Sequence, residues 1–486
     1  MADTVIRNAT IIDGTGAQRF IGDVTVEDGH ITEVGSSSST SAVEVDATGL
    51  VLAPGFVDVH THDDGALLQH PDMEFKISQG CTSVVVGNCG FSAIPAVAGK
   101  STLDLSGVQA NWTDLDGYRQ NVEKLGPALN AMMLVGHNTI RSLEMGSERR
   151  APEDHELDRM RQHVEVAMEQ GACGFSTGLI YRPGRWSETE EVLELAKVVA
   201  PFGGIYATHM RNENDYLLEA VDEALEIGSK AGVAVQISHH KAAGKKNWGK
   251  VKESLAKVDA AVAEGARVTL DVYPYTAGSG PMIQYFDIEN PNPELAQAIQ
   301  LASCPAFRDY EGRMLVDIAA ELQITAPEAV RHILTAPEGK QTICIQHTMD
   351  EGDILSNLRH DRVMIGSDGI PDLDGRPHPR LFGTFPRVLG RYVREQGILD
   401  LESAIRRMTS LSCDVHGLTD RGRIAEGNWA DLVLFDPDVV VDVASYEDPK
   451  QESLGIRNVW VNGRMAFGEG THTQSGNGKV LRYREH

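Results

Sequence analysis

The chain of 486 residues carries 44 Lys and Arg against 70 Asp and Glu, a formal net charge of −26. Such a surface argues against nucleic acid as a partner, because phosphate contacts need a basic face. It also repels anions at long range, so any anionic substrate must meet locally placed cations. Hydrophobic residues make up 41% and the mean hydropathy is −0.23, with no run near the roughly 18 apolar residues of a membrane helix. A soluble protein with a large core and no membrane partner is expected.

The N-terminus, Met1-Ala-Asp-Thr-Val-Ile-Arg, lacks a basic region followed by an apolar run. Six cysteines without regular spacing do not make a disulfide framework. Both features predict a cytoplasmic location.

In chain order, the first 50 residues read as short alternating strands broken at Asp-Gly and Val-Gly, such as Asp23-Val-Thr-Val-Glu-Asp-Gly and His30-Ile-Thr-Glu-Val-Gly. The style returns in Asp431-Leu-Val-Leu-Phe-Asp and Val459-Trp-Val-Asn-Gly. A small β domain is therefore predicted from residues 1–54 and 416–486, around a central domain at 55–415. That central domain alternates strand-like apolar runs with helical patterns, the α/β signal. Eight strands are predicted: Phe56–Val59, Thr82–Val86, Asn130–Val135, Cys173–Ser176, Gly204–Ala207, Ala234–Ile237, Val268–Asp271 and Val363–Ile365. Helical stretches such as Glu188–Val199 and Tyr216–Lys230 separate them. A (β/α)₈ TIM-like barrel is the leading architecture. The long gap before the last strand predicts an inserted, lid-like segment of helices over about 280–345.

Chemistry in such a barrel sits at the C-terminal ends of its strands. Those ends read His60-Thr-His62, Asn88-Cys89-Gly, Thr208-His209, Ser238-His239-His240-Lys241 and Ser367-Asp368-Gly. Side chains alternate along a strand, so His60 and His62 share a face. Imidazole, thiolate and carboxylate are the groups that bind zinc-like ions. Taken singly, each has a bland reading: a buried structural histidine, an inert cysteine, an aspartate capping a helix. Their joint fall on independently predicted strand ends points to one metal site.

The sequence resembles the amidohydrolase superfamily, and within it the N-acyl-D-amino-acid deacylases (D-aminoacylases). The resemblance covers nearly the whole chain. It rests on Pro54-Gly-Phe-Val-Asp-Val-His-Thr-His-Asp-Asp, Val86-Gly-Asn-Cys-Gly, Phe175-Ser-Thr-Gly-Leu-Ile-Tyr181, Ile237-Ser-His-His-Lys, Asp271-Val-Tyr-Pro-Tyr and Arg376-Pro-His-Pro-Arg380. Hydantoinases and dihydroorotases typically use a carboxylated lysine at the end of strand four, whereas Cys173-Gly-Phe-Ser-Thr-Gly-Leu offers none. The resemblance implies zinc held tightly by Cys89, His209 and His239, with His60, His62 and Asp368 lining a neighbouring, weaker site. It also implies hydrolysis of N-acyl-D-amino acids by a metal-activated water, with Asp368 as general base and then acid.

The same resemblance assigns Lys241 and Arg380 to the substrate α-carboxylate, Tyr273 to a hydrogen bond, and Tyr181 and Ser279 to further contacts. His240 and His378 are read as structural. The segment Gly280–Gln300 holds Met282, Ile283, Tyr285 and Phe286 but no Lys or Arg. Burying an unpaired carboxylate there would be costly, so a neutral or hydrophobic D-side chain is expected. The competing readings are a cyclic-amide or dipeptide hydrolase of the same superfamily and a non-enzymatic relative. A monomer or small homo-oligomer is expected.

Overall fold

A computed structural model describes residues 2–99, 108–468, 470–473 and 476–484. Its centre is a barrel of eight parallel strands: β1 Phe56–Asp58, β2 Cys81–Val86, β3 Asn130–Gly136, β4 Gly174–Gly178, β5 Ile205–His209, β6 Ala234–Ile237, β7 Val268–Val272 and β8 Val363–Ile365. Neighbours in sequence are neighbours in the sheet, from β1 through to β8. Among the described residues the ring is closed by a parallel bridge between Thr61 and Gly369, just past β1 and β8.

Strands covered on both faces must be apolar throughout, and β2 and β3 are buried at every position. The helices between them present one apolar stripe each. Leu217–Ala231 buries Leu217, Ala220, Val221, Ala224, Ile227, Gly228 and Ala231, at steps of three and four. Gly228 is required there, because a Cβ would meet Val235 at 2.2 Å. Burying a single Val or Leu of this layer contributes about 1.5–3 kcal/mol.

Both ends of the chain build a separate nine-stranded sheet. Its order runs Thr471–His472, Arg464–Gly468, Ile456–Val461, Leu432–Phe435, Val51–Pro54, Ala2–Ile11, Phe20–Glu27, His30–Gly35, with Ser41–Asp46 also paired to Ala2–Ile11. Ile6, Val24, Leu52, Leu434 and Trp460 fill its core.

Two features differ from the sequence expectation. The inserted segment is not helical throughout: Gly278–Pro281, Ile299–Ser303 and Ile343–Gln346 form a three-stranded antiparallel sheet, packed with the helices Leu315–Glu321 and Ala326–Thr335 around its own core. Residues 476–484 leave the small sheet and dock on the barrel, where Leu481 N–H donates to the Ala131 carbonyl and Val480 bridges Ala131. All six cysteines are buried free thiols. Among the described residues no helix is long and apolar enough to cross a membrane.

Candidate metal centre and substrate cavity

The ends of five strands deliver their polar side chains to one point. Cys89 Sγ lies 3.3 Å from His60 Nε2, 3.7 Å from His209 Nδ1 and 3.4 Å from His239 Nε2. His62 Nε2 and His60 Nε2 lie 3.2 and 3.6 Å from Asp368 Oδ1. Sulfur and nitrogen ligands of one tetrahedral ion would stand about 3.5 Å apart, given bond lengths near 2.3 and 2.0 Å. The spacing around Cys89 therefore fits a shared ion, and a thiolate with two imidazoles is a zinc-type donor set. His60 and His62 also group with Cys89, and His60 and Asp368 with His239, so further metal-binding side chains adjoin it.

Three of these residues, Cys89, His239 and Asp368, have left-handed backbones, with φ of 54°, 35° and 50°. Non-glycine residues adopt that region at a cost, and such strain persists where the surroundings enforce it. Cys89 is also closely packed. Its carbonyl presses against β4, where a Cβ on Gly178 would meet it at 2.1 Å, so glycine is needed there.

Burial alone would raise the Cys89 thiol, but His60 and His239 overcome it and hold the thiol well below its ordinary range. Burial likewise opposes ionisation of Asp368, and Arg380 reverses it, with His62 assisting, so that this carboxyl titrates well below the usual value. Arg380 Nη2 pairs with Asp368 Oδ2 at 3.0 Å. Its Nε and Nη1, buried on a side chain 1% exposed, have no hydrogen-bond partner. Its guanidinium stacks on Tyr273 at 4.3 Å.

Two acidic residues that the sequence reading gave no role support the cluster. Asp271 accepts from His239 N–H at 2.8 Å and Gln236 Nε2 at 2.7 Å, and lies 3.1 Å from His60 Nδ1. Glu213 lies 2.9 Å from His239 Nδ1 and accepts from Lys241 Nζ at 2.6 Å. It also approaches His209 Nε2 to 3.3 Å, without the alignment for a hydrogen bond. Carboxylates behind ligating histidines fix ring orientation and basicity. The sole sequence signal for Glu213 is its place four residues after His209.

Beneath the cluster, buried Lys76 donates to Asp58 at 2.6 Å, Ser367 Oγ at 2.8 Å and Thr61 Oγ1 at 3.0 Å. Ser367 N–H also donates to Asp58 at 2.8 Å. These bonds tie the end of β1 to the end of β8, where the bridge closes the barrel.

Of the predicted substrate residues, Tyr181, Lys241, Tyr273 and Ser279 line a cavity of about 580 Å³ above the cluster, together with His209, His239 and Asp368, whereas Arg380 is buried against Asp368 and Tyr273. Lys241 is held by Glu213, Tyr273 Oη donates weakly to Met349 Sδ at 3.7 Å, and Ser279 meets Arg380 through its backbone carbonyl at 3.4 Å. Tyr181 packs against His209 and shares a 3.1 Å hydrogen bond with Tyr285 of the insertion. His240 bonds Asn357 and Ser254, and burial pushes it down to about 4. His378 accepts from the Arg380 N–H at 3.0 Å.

Residues 43–467 match the model of the Amidohydrolase family. The chain is 40% identical to a D-aminoacylase of Alcaligenes xylosoxydans xylosoxydans, over 99% of this chain and 97% of the relative. It is 41% identical to an N-acyl-D-glutamate deacylase of the same organism, over 96% and 93%. The fold superposes on the crystal structure of an N-acyl-D-glutamate deacylase from Bordetella bronchiseptica, complexed with zinc and a phosphonate mimic of the tetrahedral intermediate. That match has a TM-score of 0.92, 39% identity and coverage of 99% of both chains.

Proposed function

This chain belongs to the amidohydrolase family, in its D-aminoacylase branch, as an enzyme acting on linear amides, and we propose that it hydrolyses N-acyl-D-amino acids with neutral or hydrophobic side chains, releasing a carboxylate and a free D-amino acid. The observation that carries the reading is a Cys–His–His donor set joined through Asp368 to the buried, half-unpartnered guanidinium of Arg380, with His209, His239 and Asp368 lining one cavity. The first suits a hydrolytic metal ion and the second a carboxylate.

Cys89, His209 and His239 would hold one zinc ion tightly, with His60, His62 and Asp368 beside it. When bound, such an ion polarises the amide carbonyl and acidifies water. The remaining work belongs to the chain. Asp368, ionised and facing the cluster, takes the proton from the attacking water and returns it to the leaving nitrogen. Lys241 and Arg380 bind the α-carboxylate, and Arg380 can offer it one free N–H, from Nε or Nη1, while Nη2 keeps Asp368 in place. Glu213 and Asp271 orient the histidines.

Fixing the carboxylate and the amide leaves the Cα hydrogen and side chain to exchange places between enantiomers. The wall of the cavity then selects one. The relatives support D. Ile180, Leu295 and Met349 on that wall favour an apolar side chain.

The test is a panel of initial rates on N-acetyl-D-leucine, N-acetyl-L-leucine, a hydantoin and an isoaspartyl dipeptide. The D-acyl amino acid is expected to lead. Faster turnover of the hydantoin or the dipeptide would replace this reading with the cyclic-amide or dipeptidase one.

A further inference from the structure

In a ring of eight strands, β4 stands opposite β8. The cations that would hold the α-carboxylate, Lys241 and Arg380, come after β6 and β8. On the far side of the cluster, after β4, stand Tyr181, Arg182 and Arg185, with Arg185 lining the same cavity. An N-acyl amino acid has its carboxylate on one side of the scissile amide and its acyl group on the other. With the carboxylate at Arg380, the acyl group runs toward Arg185.

That corner of the molecule is unlike the rest of its surface. Arg185 lies at the exposed rim of that cavity, only partly desolvated, and sits among like charges. Burial first, then Arg182 and Arg149, hold its guanidinium below the ordinary value. Arg149 is stacked on Trp186 at 4.8 Å. Neighbouring Arg211, by contrast, is neutralised by Glu223 at 2.9 Å. No ion pair joins Arg149, Arg182 or Arg185 to a carboxylate of the described residues, in a chain whose formal charge is −26. Arg185 on the cavity wall, with the unpaired Arg149 and Arg182 near enough to depress its guanidinium, makes a local anion trap in an acidic protein.

We propose that Arg185 is a specificity residue that binds a second carboxylate, carried by the acyl group, so that the preferred substrates are N-acyl-D-amino acids derived from a dicarboxylic acid. The inference rests on the α-carboxylate lying at Lys241 and Arg380. The guanidinium fork matches a terminal carboxylate, and its neighbours add attraction without a competing internal acid.

The experiment compares N-succinyl-D-leucine with N-succinamoyl-D-leucine, which has the same shape and a neutral end, in the wild type and in Arg185→Gln. The wild type is expected to favour the succinyl compound in kcat/KM by about fivefold, the scale of a partly exposed ion pair. Arg185→Gln should collapse that ratio toward unity and Arg185→Lys should restore part of it. A parallel arm uses N-acetyl-D-glutamate against N-acetyl-D-glutamine, whose carboxylate is on the side chain. A flat wild-type ratio, a ratio indifferent to Arg185→Gln, or a loss confined to the glutamate arm would each overturn the proposal. Wild-type turnover of N-acetyl-D-leucine is read alongside. Its absence would sink the deacylase reading itself, whereas its presence with a flat ratio sinks only this inference.

Discussion

Arg380 and Asp368 form a buried ion pair, Nη2 to Oδ2 at 3.0 Å, that joins the group proposed to read the substrate to the group proposed to move its proton. Substituting Arg380 therefore does two things. It removes the α-carboxylate's partner and it unclamps the base. Charge-assisted hydrogen bonds of this kind contribute about 1.5–3 kcal/mol. Arg380→Met should lower kcat/KM for N-acetyl-D-leucine by roughly one to two orders of magnitude. The matching N-acyl amine, which has no carboxylate, reports the unclamping alone and should lose much less. Equal losses on both would remove Arg380 from substrate recognition.

Asp368→Asn keeps the shape of the carboxylate but cannot accept a proton. General acid–base groups contribute about 10²–10⁴-fold, so kcat should fall by that scale with KM little changed. A variant with normal kcat and a raised KM would make Asp368 a binding residue.

Glu213 touches His239 and Lys241 at once and stands behind His209. Glu213→Gln should weaken metal affinity or activity by about 10- to 100-fold, the range found for carboxylates behind ligating histidines. Chelator competition measures the first, and KM the disturbance at Lys241. Glu213→Asp should recover part of both. Unchanged affinity and unchanged KM would make Glu213 a structural carboxylate only.

Acid stability tests the interior. His416 and His240 are fully buried, and burial pushes each down to about 4 from 6.5. Their folded values lie below the unfolded one, so the stability they confer is present above about pH 6.5 and is lost as pH falls toward 4. At pH 5 each loses about 2 kcal/mol, from some 1.5 units of linkage. His416 Nδ1 bonds the Ser412 carbonyl at 2.8 Å, and its Nε2 has no hydrogen-bond partner among the described residues. Denaturant titrations at pH 7.5 and pH 5 should show a smaller acid loss in His416→Leu than in the wild type. An identical loss would place the acid sensitivity elsewhere.

The barrel, and the convergence of polar side chains at its strand ends, are legible in the sequence because each obeys a local rule. Runs such as Val84-Val85-Val86 must be buried on both faces, and His60 and His62 share a face by alternation. The supporting acids obey no such rule. Glu213 lies on a loop and Asp271 inside a strand, and only the folded ring brings them behind His209, His239 and His60. Gly278-Ser-Gly-Pro281 has none of the β-branched residues that mark a strand, yet it pairs with Ile343–Gln346, so the sheet in the insertion is a tertiary product. The docking of residues 476–484 on the barrel is likewise set by contacts far away in sequence. Nothing in the sequence marks Arg185; its place on the cavity wall follows from β4 facing β8.

The central claim is that Cys89, His209 and His239 hold the ion on which deacylation depends. It is tested most directly by titrating metal-free protein with zinc while following both bound metal and hydrolysis of N-acetyl-D-leucine. The account predicts that activity rises with the first tightly bound ion per chain, and that Cys89→Ala loses both the tight binding and most of the turnover, since it removes the anionic ligand of that site. A Cys89→Ala protein that keeps full zinc and full turnover would contradict it.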